Sequence, residues 1–163
     1  MAYQAVIIFC RLDRKIALSF KGLLERFLNI NIHMFEGDTS GGEYGADLEF
    51  NTNTLEHFMS EGYKIFVYAT SGFVSSPECR NICLRLQELQ IHKNITGNVI
   101  PVITSFIKLP WGIRSLRPLK LNRLVRHAQV DMYDSITDEI TLNEIDDEIL
   151  RSLRKAFPPK NNE

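Results

Sequence analysis

Short apolar runs, each followed by a stretch of helical periodicity, constrain this chain more than any other feature. Val6-Ile7-Ile8-Phe9, Ile65-Phe66-Val67-Tyr68-Ala69 and Val99 to Ile103 are nearly continuous apolar blocks. Blocks of this kind mark strands buried on both faces, as in a parallel sheet covered by helices. Asn29 to Phe35 predicts another short strand, with Ile30, Ile32 and Met34 alternating. After the first run, Ile16, Leu18, Phe20, Leu23, Leu24, Phe27 and Leu28 recur at helical spacing. Ala46 to Ser60 predicts a helix with Leu48, Leu55, Phe58 and Met59 inward. Ser76-Pro77 predicts a helix start, a hydroxyl cap followed by proline at the first helical position. From there Cys79, Ile82, Cys83, Leu86 and Leu89 carry an apolar stripe to about His92.

The last third carries weaker signals. Pro101 inside the fourth run predicts an edge strand or a bulge, because proline offers no ladder donor. Leu109-Pro110-Trp111-Gly112 reads as a turn, and a fifth strand is expected between Leu119 and Tyr133. Ile140 to Phe157 predicts a closing helix with Ile145, Ile149, Leu150, Leu153 and Phe157 on one face. Pro158-Pro159 stops it, and residues 158–163 are expected to form a disordered tail. Strand and helix alternating in this way imply an α/β fold, an open parallel five-stranded sheet with helices on both faces. At 163 residues the chain has room for one such domain, placed at residues 4–157. The loops after the first three strands, Arg11 to Arg14, Glu36 to Gly45 and Thr70 to Ser76, then share the edge where such sheets bind ligands.

Charge and targeting narrow the classes. Lys plus Arg number 19 and Asp plus Glu 20, a net charge of −1 that argues against a nucleic-acid binder. The first residues, Met1-Ala2-Tyr3-Gln4, lack a basic n-region, and the apolar run Ala5 to Cys10 is too short for a signal peptide. No run approaches the roughly 18 apolar residues of a spanning helix, so no direct membrane insertion is expected. The odd set of three cysteines suits reduced thiols in the cytoplasm.

Several residue groups invite a chemical reading. The loop Asp38-Thr39-Ser40-Gly41-Gly42 is glycine-rich, but neither a Walker pattern nor G-x-G-x-x-G is present. A flexible interaction loop, with Tyr44 as its apolar anchor, fits it better. Cys79 and Cys83 stand one turn apart, yet no second ligand pair closes a metal site, and both lie on the apolar stripe. They read as core, and no metal is expected. None of the four histidines neighbours a nucleophile in a catalytic motif. Charge is sharply segregated late in the chain. Leu109 to Val130 holds five bases and no acid: Arg114, Arg117, Lys120, Arg123 and Arg126. Asp131 to Leu150 holds eight acids and no base, Asp146 and Asp147 among them. Either these are two solvated faces or they are complementary patches for self-association.

The stretch from Phe66 through Tyr68-Ala69-Thr70-Ser71-Gly72-Phe73-Val74-Ser75-Ser76-Pro77-Glu78-Cys79 resembles the TIR (Toll/interleukin-1 receptor) domain pattern: a buried strand, a Ser/Thr turn, then F-V-x-S-x-x-C opening a helix. Val6 to Asp13 resembles the family's first box, Val99-Ile100-Pro101-Val102 its fourth strand, and Leu109-Pro110 with Leu116-Arg117 its later loop. The resemblance implies a flavodoxin-like sheet and a cytoplasmic signalling module. It would act through homotypic contacts with other TIR domains, by self-association and higher-order assembly, in innate immunity.

The chain departs from that pattern in informative places. The second box, usually Arg-Asp-x-x-Pro-Gly, here reads Gly37-Asp38-Thr39-Ser40-Gly41-Gly42. The Phe-Trp pair of the third box is not evident. NAD-cleaving members carry a glutamate six residues after the motif serine, and from Ser76 that position is Ile82. Cleaving the bond to nicotinamide wants a carboxylate beside an oxocarbenium-like centre, which isoleucine does not supply. Ser76-Pro77-Glu78-Cys79 is instead similar to adaptor-type animal TIR domains that signal without catalysis and need no cofactor. The alternative is an NAD+ hydrolase with NAD+ as substrate and a relocated acid, for which Glu78 is the nearby residue. A response-regulator-like module is disfavoured because the first strand ends without an acidic cluster, Arg11 and Arg14 flanking Asp13.

Overall fold

Burial of the apolar runs on both sides organises the molecule. The computed structural model describes residues 3–28, 30–38, 48–93, 98–103, 107–120, 151, 153–155 and 157. Along the chain they form β1 (Tyr3–Phe9), α1 (Arg14–Phe27), β2 (Ile30–Glu36), α2 (Leu48–Ser60) and β3 (Lys64–Ala69). Then come α3 (Ser71–Ser75), α4 (Pro77–Lys93), β4 (Val99–Ile103) and β5 (Leu119–Lys120). A 3-10 turn at Arg11–Asp13 joins β1 to α1. The five strands form one sheet in the order β2-β1-β3-β4-β5, and every pairing is parallel. This is the flavodoxin-like strand order, with β3 central and the topological switch point between β1 and β3.

Alternation along the strands divides the core in two. Val6 and Ile8 of β1 join Ile65, Val67 and Ala69 of β3 on one face, where Leu55 and Met59 of α2 and Cys79, Ile82, Cys83, Leu86 and Leu89 of α4 cover them. Ala5, Ile7 and Phe9 point the other way with Phe66 and Tyr68, under Ala17, Phe20, Leu23 and Leu24 of α1. Leu153 and Phe157, from the described part of the C-terminal segment, close this second face. A fully buried side chain of this size contributes roughly 1.5–3 kcal/mol, so two covered faces suffice without cross-links. Leu18, one of the apolar residues recurring at helical spacing, is exposed: it precedes Phe20 by two residues and falls on the opposite side of α1.

Two local expectations change. Thr70 to Ser76 is not an open loop, because Ser71–Ser75 form a helical turn. Thr70 caps that turn by accepting the Phe73 N–H at 3.2 Å. Pro101 lies on neither an edge nor a bulge, since β4 runs between β3 and β5 and Pro101 pairs with Val67. Ile65 N–H donates to Asn98 O at 2.7 Å. Peptide groups alternate direction along a strand, so the ring nitrogen of Pro101 faces β5 rather than β3. The pairing with β5 begins only at Val102 opposite Leu119, and no ladder bond is lost. Among the described residues no helix is long and apolar enough to cross a membrane.

Candidate functional site

The carboxyl ends of β1, β2 and β3 meet at one edge of the sheet, as their parallel order requires. Asp38, two residues beyond β2, reaches across to the turn after β1. Its Oδ1 accepts the Arg11 backbone N–H at 2.8 Å, and its Oδ2 accepts the Cys10 thiol at 3.3 Å. The Thr70 hydroxyl, just after β3, donates to Asp13 Oδ2. Gly37 N–H donates to Phe9 O at 2.8 Å, and Arg14 pairs with Glu36 at 2.9 Å. Together these contacts stitch three loops into one polar latch. The second carboxylate at the end of β1 therefore comes from β2, far away in sequence.

Electrostatics make the latch quiet. Burial raises the Asp13 carboxyl above the usual range and the negative charge of Asp38 adds to this, while the Thr70 hydrogen bond opposes it. Burial pushes the Cys10 thiol up to about 11, with the Leu12 backbone opposing and Asp38 reinforcing. Burial likewise pushes Cys79 up to about 12, against the Ser76 hydroxyl, and Cys83 up to about 12. All three thiols are free and buried, in keeping with the sequence reading as core residues. A nucleophile or metal ligand needs the thiolate, and these environments hold the proton on. Among the described residues no group of three or more His, Cys, Asp or Glu side chains is placed to hold a metal ion.

The start of α4 adjoins the latch. The Ser76 hydroxyl accepts the Cys79 N–H at 3.3 Å and donates to Glu78 Oε2 at 3.1 Å, so the expected cap is present. Glu78 is exposed in the first turn, whereas Cys79 is fully buried. Ile82, one turn further, is only 8% exposed. A Cβ placed on Gly37 would lie 3.0 Å from Cys79 Sγ and 3.1 Å from Ile82 Cδ1. Glycine at 37 thus lets the end of β2 close directly over the α4 side chains. Ile82 is thus held in apolar packing beneath Gly37.

The remaining sequence-derived residues are scattered. Of the interaction loop, Asp38 belongs to the latch, while Gly41, Gly42 and Tyr44 lie outside the described residues. Of the charged interface, Arg123, Asp146 and Asp147 also lie outside them. Arg117 is exposed, but Arg114 is half-buried and engaged. Its guanidinium sits 3.8 Å from the Trp111 ring centroid, and its Nε donates to Leu109 O at 2.9 Å. Sequence reasoning passed over Thr70, the role of Asp13, and Trp111 as a surface feature. The useful signal was topological, because an order with β1 beside β3 sets the loops bearing Asp13 and Thr70 side by side. No family model matches the sequence, and no curated protein matches it significantly.

Proposed function

We propose that this chain is a TIR-type signalling interaction module, acting in the cytoplasm through homotypic contacts, self-association and higher-order assembly, with innate immune signalling as its setting. The observation that supports this most is the packing of Ile82. It stands six residues after Ser76 on a helix opened by Ser76-Pro77-Glu78-Cys79, and its side chain is sealed beneath Gly37. A module that holds an aliphatic group there works by placing partners rather than by stabilising an oxocarbenium-like centre. Such a module needs no cofactor and no nucleic acid.

An incubation with NAD+ at high protein concentration tests the reading. The purified chain is expected to leave NAD+ intact, and Ile82→Glu alone is expected to gain no turnover, because the new carboxylate would enter a packed apolar site. Nicotinamide release by the wild-type chain, lost on Glu78→Ala, would replace this reading with that of an NAD+ hydrolase using a relocated acid.

A further inference from the structure

The switch point between β1 and β3 gathers polar groups from three loops. Open parallel sheets take up ligands in this crevice, beyond the carboxyl ends of the strands. Asp13 follows β1, Asp38 follows β2 and Thr70 follows β3, and hydrogen bonds draw the three loops together. Gly72 leaves room among them. A Cβ there would lie 3.5 Å from Cys10 Sγ, 3.6 Å from Asp13 Oδ2 and 3.8 Å from Thr70 Oγ1. Three polar atoms from two of the loops thus surround a space that one methyl group would fill.

Tyr68 adds an unmet polar group on the same side. It precedes Thr70 by two residues in extended backbone, so both side chains turn to the side that α1 covers. Tyr68 is fully buried, its hydroxyl has no hydrogen-bond partner among the described residues, and the Asp13 charge acts on it. Asp13 itself is crowded. Burial and Asp38 both raise its carboxyl, and the Thr70 hydrogen bond opposes them. Two crowded carboxylates with an unpaired buried hydroxyl beside them suit a hydrated cation, which meets both needs at once.

We propose that Asp13 and Asp38, with the Thr70 hydroxyl, hold a hydrated divalent cation of the Mg2+ class at this edge of the sheet. Mg2+ keeps several waters and binds through one or two carboxylates. The short donor set therefore fits it better than Ca2+, which takes roughly six to eight oxygens. The Tyr68 hydroxyl hydrogen-bonds to one of the retained waters and orients it. Softer ions that seek a thiolate are disfavoured, because the Cys10 thiol donates its proton to Asp38. Bound there, the cation neutralises the repulsion between Asp13 and Asp38 and ties the three loops together. The site is independent of the homotypic reading.

Calorimetric titration and thermal unfolding of the full chain at pH 7, in chelator and in MgCl2, test the site. Wild type should bind Mg2+ saturably and unfold at higher temperature with it, whereas NaCl of equal ionic strength should do neither. Asp13→Asn and Asp38→Asn should each abolish the response. Gly72→Ala fills the space with a Cβ that meets only ordinary contacts, so it should fold in chelator and lose the Mg2+ response. Tyr68→Phe, which touches only a bound water, should weaken binding about tenfold. Absence of saturable Mg2+ binding by the wild type overturns the proposal. A response that survives in either Asp13→Asn or Gly72→Ala places the cation elsewhere, as on the acidic stretch 131–148, and overturns it as well.

Discussion

The two faces of the sheet are built from different materials. Under α1 the packing is aromatic: Phe20 meets Phe66 edge-on at 5.4 Å and Tyr68 at 5.7 Å, and Phe157 meets Tyr3 and Phe66 at 5.5 and 5.8 Å. Under α2 and α4 the rings are dispersed: Phe35 and Phe73 are buried among Ile, Val, Leu and three thiols, and Phe58 stacks on Tyr63 at 5.1 Å only at the margin. Interlocked rings resist rearrangement because each fixes its neighbour's geometry. The second face is instead approached by backbone, at Gly37 over Cys79 and Ile82 and at Gly112 over Cys83. The polar latch, the capped start of α4 and the Trp111 turn all border the α4 side. One face holds the sheet together and the other presents surface.

Removing an aromatic should therefore have the largest effect on stability. Phe20→Ala deletes a fully buried ring that contacts two others, and a cost of about 3–5 kcal/mol is expected. Urea unfolding of wild type and variant measures it. A loss below 1 kcal/mol would mean the rings do not form a shared unit, and the contrast between faces would fail.

Next in size is the glycine that seats the turn. Gly112→Ala combines a positive φ with a Cβ 2.4 Å from a backbone oxygen, a contact relieved only by lifting the turn off α4. A cost of about 1–3 kcal/mol is expected. Trp111 fluorescence should shift as well, because the ring leaves its place beside Arg114. Loss of stability without a change in fluorescence would show that Trp111 is not held by this seat.

How much of this was legible follows from the range of each interaction. β1, β3 and β4 announce themselves because burial on both faces demands apolar runs, and Ser76-Pro77 marks the start of α4 by purely local chemistry. α3 is not legible: Ser71-Gly72-Phe73-Val74-Ser75 has poor helical propensity, and the turn exists because Thr70 caps it and Phe73 is buried. Pro101 misleads because its cost depends on the neighbouring strand, and the described pairing with β5 starts only at Val102. The latch is invisible for a stronger reason. Thr70 and Asp13 are 57 residues apart, and only the strand order joins them. Arg114 reads as a free charge until the fold lays it over Trp111.

A gain of stability is expected inside the aromatic face. The Tyr68 hydroxyl is fully buried and has no hydrogen-bond partner among the described residues. An unsatisfied buried hydroxyl carries its desolvation penalty into the folded state. Tyr68→Phe keeps the ring against Phe20 and removes that burden, so stability should rise by roughly 1 kcal/mol. A fall would place a bonding partner at the hydroxyl and make this face less uniformly apolar than its rings suggest.

The smallest expected effect probes the latch through pH. Burial, reinforced by Asp38, raises the Asp13 carboxyl in the folded chain above its ordinary value of 3.8. A raised folded value means the native state holds this proton more tightly than the unfolded chain does. Its contribution is then fully present below pH 3.8 and is lost as pH rises through the folded value. At neutral pH the native chain carries a poorly solvated charge, which the Thr70 hydroxyl only partly offsets. Asp13→Asn removes the charge and keeps an oxygen that accepts from Thr70. The variant should be the more stable of the two at pH 7, and the gap should close as the wild type is acidified toward pH 4. A gap that instead widens on acidification would show that the carboxylate is stabilised in the fold. The latch would then be held by charge rather than by its hydrogen bonds.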